Sequence, residues 1–178
     1  RNNEIFNEYV IYDTAGMLKQ LGLDVLETAK RFAAKTKGPG LPANFAASEP
    51  KRLAGQGKPA TLAIPRDGRG DIEAFVRAAF HTVWNRRNFG ALEEVYSPNV
   101  VVQGSAGRVY HGSGQLRSFI LSMVAMFPDI SLSVDDLYWM GNERDGFLVS
   151  IRWSAQGTHR GNGPYGEPTN RETHLWGI

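Results

Sequence analysis

Residues 147–159 read FLVSIRWSAQGTH. Apolar side chains take the odd positions: Phe147, Val149, Ile151, Trp153 and Ala155. Leu148, Ser150, Arg152, Ser154 and Gln156 take the even ones. A period of two is that of a β-strand, and a single apolar set means a sheet with one covered face. His159 has the parity of the apolar set. If the strand runs unbulged through Gly157-Thr158, the imidazole lies on the covered side; a bulge at Gly157 reverses that facing.

Working outward, the same period holds upstream. Ile130, Leu132 and Val134 alternate with Ser131, Ser133 and Asp135, residues 137–140 extend the strand, and residues 142–146 form a turn. Downstream, a Gly/Pro-rich loop over 161–168 leads to a last strand over 171–178. Before residue 130 the period is 3.6. Leu116, Phe119, Ile120, Met123 and Phe127 mark one stripe of a helix over 112–126, ended by Pro128-Asp129. Asp71 is the N-cap of another helix, with Ile72, Phe75, Ala79, Phe80, Val83 and Trp84 at spacings of three and four. Asn88 and Gly90 interrupt it. A short helix follows with Leu92, Val95 and Tyr96 and stops at Pro98, and a strand begins at 100–102. Helix, helix, strand, helix and then long strands predict an α+β domain, a curved antiparallel sheet wrapped around helices.

The chain divides into three zones. Residues 38–70 are dense in Gly and Pro, which raise ordering entropy and remove backbone donors, so they read as a linker. Residues 71–178 form the main domain. Residues 1–37 are regular: a β-branched and aromatic strand over 4–12, a short helix capped by Asp13 and stopped at Gly22, and a second helix from Asp24.

Composition narrows the function classes. Of 178 residues, 42% are hydrophobic and 21% charged, which fits a folded globular chain rather than a disordered one. No apolar run approaches the roughly 20 residues of a membrane span, and no signal-peptide stretch opens the chain. The first residue is Arg1, which leaves processing or a longer parent protein open. The absence of cysteine removes disulfides and thiolate chemistry and fits a cytoplasmic location. With net charge +2 and only isolated basic pairs, Arg86-Arg87 and Lys51-Arg52, no nucleic-acid surface is expected. The four histidines show no HExxH or paired-ligand spacing, so no metal is expected. The Gly run at 161–166 does not sit between strand and helix, and Ser105 and Ser113 lack a nucleophile elbow.

A lone imidazole on the covered face of a curved sheet can serve as general acid or base near neutral pH. It can equally be a hydrogen-bonded structural histidine at a pocket rim. Both readings of His159 stand on the residues alone.

Three stretches carry a family resemblance. Phe80-His81-Thr82-Val83-Trp84-Asn85 with Phe89-Gly90 resembles the first-helix signature of SnoaL-like proteins. Phe127-Pro128-Asp129 resembles their helix-to-strand junction. Trp153 through Gly161, then Glu167-Pro168-Thr169-Asn170, resembles their Gly-Thr-His-x-Gly turn and Pro-Thr-Gly loop, with Asn170 in place of Gly. Asn tolerates the left-handed backbone, so the turn survives. On these motifs the chain resembles the SnoaL-like polyketide cyclase and ester cyclase family of the NTF2-like superfamily. That implies a cone-shaped α+β barrel around an apolar pocket, and a cofactor-independent aldol-type cyclisation or proton transfer on a small carbonyl compound. The alternative is a non-catalytic ligand-binding or dimerisation module of the same fold.

The resemblance implies His159, Asp13 and His174 as polar catalytic candidates, with Glu172 beside them, and Trp84, Phe80, Tyr9, Trp153 and Phe119 as substrate-binding walls. Asp13 reads equally as a helix cap. Glu172 and His174 alternate with Thr173 and Leu175, so exposed edge-strand positions are the other reading for both. The resemblance further implies that residues 71–178 lack the family's own last strand, and that residues 3–13 look like that strand. It would complete the sheet within the chain or in a swapped homodimer. The expected partners are a small apolar ligand and a second copy, with no membrane and no nucleic acid.

Overall fold

A computed structural model describes residues 11–35 and 71–178. The expected strand over 4–12 falls almost wholly outside the described residues, as do Tyr9 and the Gly/Pro-rich stretch 38–70.

The first helices form as their caps dictate. Asp13 precedes α1 (Thr14–Gln20) and its carboxylate accepts the Gly16 N–H at 2.9 Å. Gly22 leaves the helix at φ 73°. Asp24 accepts the Glu27 N–H at 2.7 Å ahead of α2 (Val25–Lys35). Each acidic cap satisfies an amide that the helix cannot reach itself.

The main domain opens with α3 (Ile72–Phe80), where Asp71 accepts the Glu73 N–H at 2.9 Å. The helix continues into a π-helical turn, His81–Asn85, instead of running α-helical through Trp84 as its spacing predicts. The wider turn buries His81, Thr82 and Val83. A 3-10 turn, Phe89–Ala91, leads into α4 (Leu92–Val95). Then β1 (Val101–Gln103) pairs antiparallel with β2 (Val109–His111), a hairpin partner the sequence pattern did not announce. A three-residue strand is too short to show alternation. Helix α5 (Gly112–Met126) has the expected bounds.

The main sheet is β3 (Ser131–Asn142), β4 (Gly146–Thr158) and β5 (Glu172–Gly177), antiparallel in that order. On β3 the inward set starts on even residues, Leu132 and Val134, opposite Ala155 and Trp153, and resumes on odd Leu137, opposite Ile151. The switch is made by a register shift between Val134 and Asp136. One extra residue, Asp135, resets the parity and bends the strand, as a bulge does.

The core forms two clusters. Met123, Met126, Phe127, Ile130, Leu132, Val134 and Ala155 lie between α5 and the sheet. Val83, Leu92, Leu116 and Ile120 lie between the π-helical turn, α4 and α5. Each fully buried side chain of this size contributes about 1.5–3 kcal/mol relative to exposure.

Among the described residues, the outer edge of β3 is met by helix side chains. The Leu132 N–H donates to Asn85 Oδ1 and Asn85 Nδ2 donates to the Leu132 carbonyl, each at 2.7 Å. Arg77 donates to the Val134 carbonyl at 2.6 Å. An amide side chain here imitates a neighbouring strand and blocks edge-to-edge pairing. Asn85→Ala strands the Leu132 amide and carbonyl, and we expect it to lower unfolding stability by about 2 kcal/mol, read as a lower urea midpoint.

Candidate functional site

The site grows from the meeting of two sequence motifs. The end of α5 and residues 127–130 form a shelf, and the end of β4 with residues 159–161 lies across it. Gly157 is required for the close approach. A Cβ there would stand 3.1 Å from the Ile130 Cα and 3.2 Å from the Phe127 Cβ. Beyond it, the Met126 carbonyl accepts the N–H groups of Arg160 at 2.8 Å and Gly161 at 3.1 Å. Asp129 holds the strand end from the other side, accepting the Thr158 N–H and the Thr158 hydroxyl, both at 2.7 Å.

His159 lies between these anchors and is 5% exposed. Its ring packs on Phe127, centroids 5.2 Å apart. Its N–H donates to the Arg171 carbonyl at 3.0 Å and its carbonyl accepts the Asn170 N–H at 2.9 Å. The strand pairing therefore extends one residue past Thr158 without a reversing bulge, and the parity places His159 with buried Ala155 and Gly157. Asn170 has φ 54°, the left-handed conformation expected of an Asn in place of Gly. The imidazole Nδ1 is 3.5 Å from Thr169 Oγ1. Nε2 is buried with no hydrogen-bond partner among the described residues. A buried imidazole nitrogen with no partner is costly in a finished core and calls for an explanation.

The expected apolar walls lie along the same covered face, with Trp153 on β4 six residues before His159. Phe80, Trp84, Phe119 and Trp153 are partly buried and pack against the cluster that contains Phe127. Tyr9 lies outside the described residues. His174 occupies the other face of the sheet from this cluster. It pairs across β4–β5 with Gln156, while its neighbour Leu175 pairs with buried Ala155. Glu172 pairs with Thr158 and is exposed. Asp13 is exposed and bound at the turn 105–107. Its two oxygens accept the Ala106 N–H at 3.0 and 3.1 Å, and Lys19 donates to the Ala106 carbonyl at 3.0 Å. The Ala106 amide above all, then the Gly16 amide, holds the Asp13 carboxyl below its ordinary value; burial opposes them, and the Gly107 amide and Lys19 add smaller contributions to the lowering. Among the described residues, no group of three or more His, Asp or Glu is placed to hold a metal ion.

Sequence reasoning missed three residues that shape the site. Asp129 read only as the end of a helix, although it is the third residue of a motif already singled out. Thr169 read only as loop. Asn85 carried one available cue, a polar side chain four residues after His81 on a largely apolar helix; Asn85 Nδ2 lies 3.2 Å from His81 Nδ1.

A helix-backed antiparallel sheet with a buried histidine at the end of its middle strand makes this an α+β domain. Residues 63–178, well over half of the chain, match the SnoaL-like domain, and the chain belongs to that family. Three solved structures are similar to it. One is IdmH, a proposed polyketide cyclase from Streptomyces antibioticus, at 24% identity and TM-score 0.44, covering 56% of this chain and 73% of that one. A proposed SnoaL-like polyketide cyclase from Jannaschia Sp. CCS1 aligns at 12% identity and TM-score 0.46, covering 55% and 69%. A proposed polyketide cyclase from Acidithiobacillus ferrooxidans aligns at 20% identity and TM-score 0.43, covering 55% and 68%. No curated protein matches the chain. Among the described residues, no helix is long and apolar enough to cross a membrane.

Two measurements probe the anchors of His159. A Cβ at Gly161 would run into the Ala125 carbonyl oxygen and stand 3.0 Å from the Met126 Cα, all backbone that cannot swing away. Gly161→Ala is expected to cost about 1–3 kcal/mol, read by chemical denaturation. For Asp129, burial raises the carboxyl, but the Thr158 hydroxyl and amide outweigh it. Its own amide and Arg160 add to the lowering, leaving the carboxyl below the ordinary 3.8. A folded value below the unfolded one means stability that is present above the unfolded value and lost as pH falls through the folded one. Asp129→Asn should therefore flatten the acid limb of the stability profile below about pH 4, seen as urea midpoints that change less with pH than in the wild type.

Proposed function

We propose that this SnoaL-like chain carries out cofactor-independent acid–base chemistry on a small carbonyl compound, either proton transfer or aldol-type cyclisation. The observation that supports this most directly is the His159 imidazole, held by backbone on both sides, packed on Phe127 and with its buried Nε2 lacking a hydrogen-bond partner among the described residues. Membership of the SnoaL-like family supports the cyclase class. Both candidate reactions begin by removing a proton from the carbon next to a carbonyl, which leaves negative charge on the carbonyl oxygen as an enolate. A positioned imidazole lowers that barrier by taking the proton or by holding a hydrogen bond to the oxygen as charge builds. Phe80, Trp84, Phe119 and Trp153, with Tyr9, would wall the substrate and keep water from the enolate. We take the working form to be a cytoplasmic homodimer binding a small apolar ligand.

A second reading, a ligand-binding module without turnover, draws support from the partner of His159. Its side-chain hydrogen bond goes to the Thr169 hydroxyl and not to a carboxylate. The two readings separate in one experiment. Exchange of the α-protons of an apolar 1,3-diketone in D2O, followed by proton NMR, should be accelerated by the wild type. His159→Ala should lose about 10²–10⁴-fold of that acceleration with an unchanged circular dichroism spectrum. Equal acceleration by the variant removes His159 from the chemistry. Binding of the diketone with no acceleration by the wild type leaves the ligand-binding module.

A further inference from the structure

The imidazole of His159 has two neutral forms that differ in which nitrogen carries the proton, and they do opposite things at Nε2. One offers a donor there, the other a lone pair. The choice is set by whatever the other nitrogen meets, and for His159 that is Thr169. We propose that Thr169 is a positioning residue that holds neutral His159 in the form protonated on Nε2. The buried nitrogen then acts as a hydrogen-bond donor to a carbonyl oxygen.

The loop supplies the reason. Thr169 Oγ1 accepts the Arg171 N–H at 3.4 Å and lies 3.5 Å from His159 Nδ1. The Arg171 amide can only donate, so it takes a lone pair of the hydroxyl oxygen. One lone pair and the rotatable hydroxyl hydrogen remain for Nδ1, and the form proposed is the one in which the hydrogen points to Nδ1, which accepts it. An imidazole that accepts at Nδ1 carries its proton on Nε2. The backbone fixes the approach of the two groups. The Asn170 N–H donates to the His159 carbonyl at 2.9 Å, and the His159 N–H donates to the Arg171 carbonyl at 3.0 Å. Asn170, at φ 54°, turns the chain between Thr169 and Arg171. The loop therefore holds the histidine by its main chain on either side of the threonine that meets its ring.

The consequence concerns the Nε2 that has no partner among the described residues. As an N–H beside Phe127 it is an unsatisfied donor in an apolar setting, and a ligand carbonyl satisfies it. In this form Nε2 does not take the α-proton, which passes to a base from solvent, and the hydrogen bond strengthens as the oxygen gains charge, the behaviour of a pre-arranged oxyanion donor. This assignment rests on the proposed carbonyl chemistry for its meaning, but its test does not depend on activity.

The experiment is long-range nitrogen–proton correlation NMR of the uniformly nitrogen-15-labelled full chain, at a pH high enough to keep the ring neutral. His159 is assigned by the signal lost in His159→Ala. In the wild type, His159 should show the pattern of the Nε2–H form. Thr169→Val, which keeps the shape and removes the hydroxyl, should lose that preference and gain Nδ1–H signal; Thr169→Ser should restore it. An Nδ1–H pattern in the wild type overturns the assignment without need of any variant. So does a valine variant that keeps the wild-type pattern. A confirmed Nε2–H pattern together with no diketone exchange would leave the positioning role intact and sink the enzymatic reading alone.

Discussion

The Met126 carbonyl oxygen, at the last residue of α5, receives the backbone N–H groups of Arg160 and Gly161 together. The last carbonyls of a helix have no partner within it, and here the strand end that carries His159 provides two donors. That junction joins the longest helix of the main domain to the central strand of its sheet. It also dictates sequence on both sides. Gly161 must lack a side chain because backbone lies where a Cβ would go, and a Cβ at Gly157 would crowd the Ile130 backbone at 3.1 Å. Phe127, fully buried, must be flat enough to lie under the imidazole.

The rest of the domain arranges itself around this contact. Asp129 takes the amide and hydroxyl of Thr158 one residue before the histidine, and Arg171 and Asn170 hold the histidine's own backbone after it. A side chain fixed in this way loses little further freedom on meeting a ligand, which is the physical content of preorganisation. On the covered face His159 meets Phe127, and Phe80, Trp84, Phe119 and Trp153 pack against the cluster to which Phe127 belongs. The opposite face is chemically different. Arg152 pairs there with Asp135 at 3.4 Å and Asp136 at 2.7 Å, and Ser154 donates to Asp135 at 3.1 Å. The bulge that resets the apolar register of β3 sits at those two acids, so one irregularity serves the apolar face and the ion pairs alike.

Much of this was legible in the sequence because alternation and helical spacing are imposed by the geometry of the elements. The parity at residues 147–159 puts His159 on the covered face only if no bulge intervenes at Gly157, a condition the structure meets, and the acidic residues Asp13, Asp24 and Asp71 marked the starts of their helices. The parity change from Val134 to Leu137 was also in the sequence, but a strand reading that tolerates mixed apolar residues passes over it. The short hairpin at 101–111 and the π-helical turn left no periodic trace. Side-chain bonds to distant backbone, such as Asn85 to Leu132 or Asp129 to Thr158, depend on which elements become neighbours. Local pattern does not carry that information. For the candidate site, periodicity found the histidine, while the residues that orient it emerged only once the loop at 168–171 was seen folded back on the strand.

The central claim is that His159 Nε2 is the atom that meets a substrate carbonyl. The most direct measurement is a crystal structure of the chain soaked with an apolar 1,3-diketone. The account predicts a ligand oxygen within about 2.6–3.2 Å of His159 Nε2 and its apolar body against the side chains of the cluster around Phe127. A diketone bound among those same side chains with its oxygens directed away from His159 would contradict it.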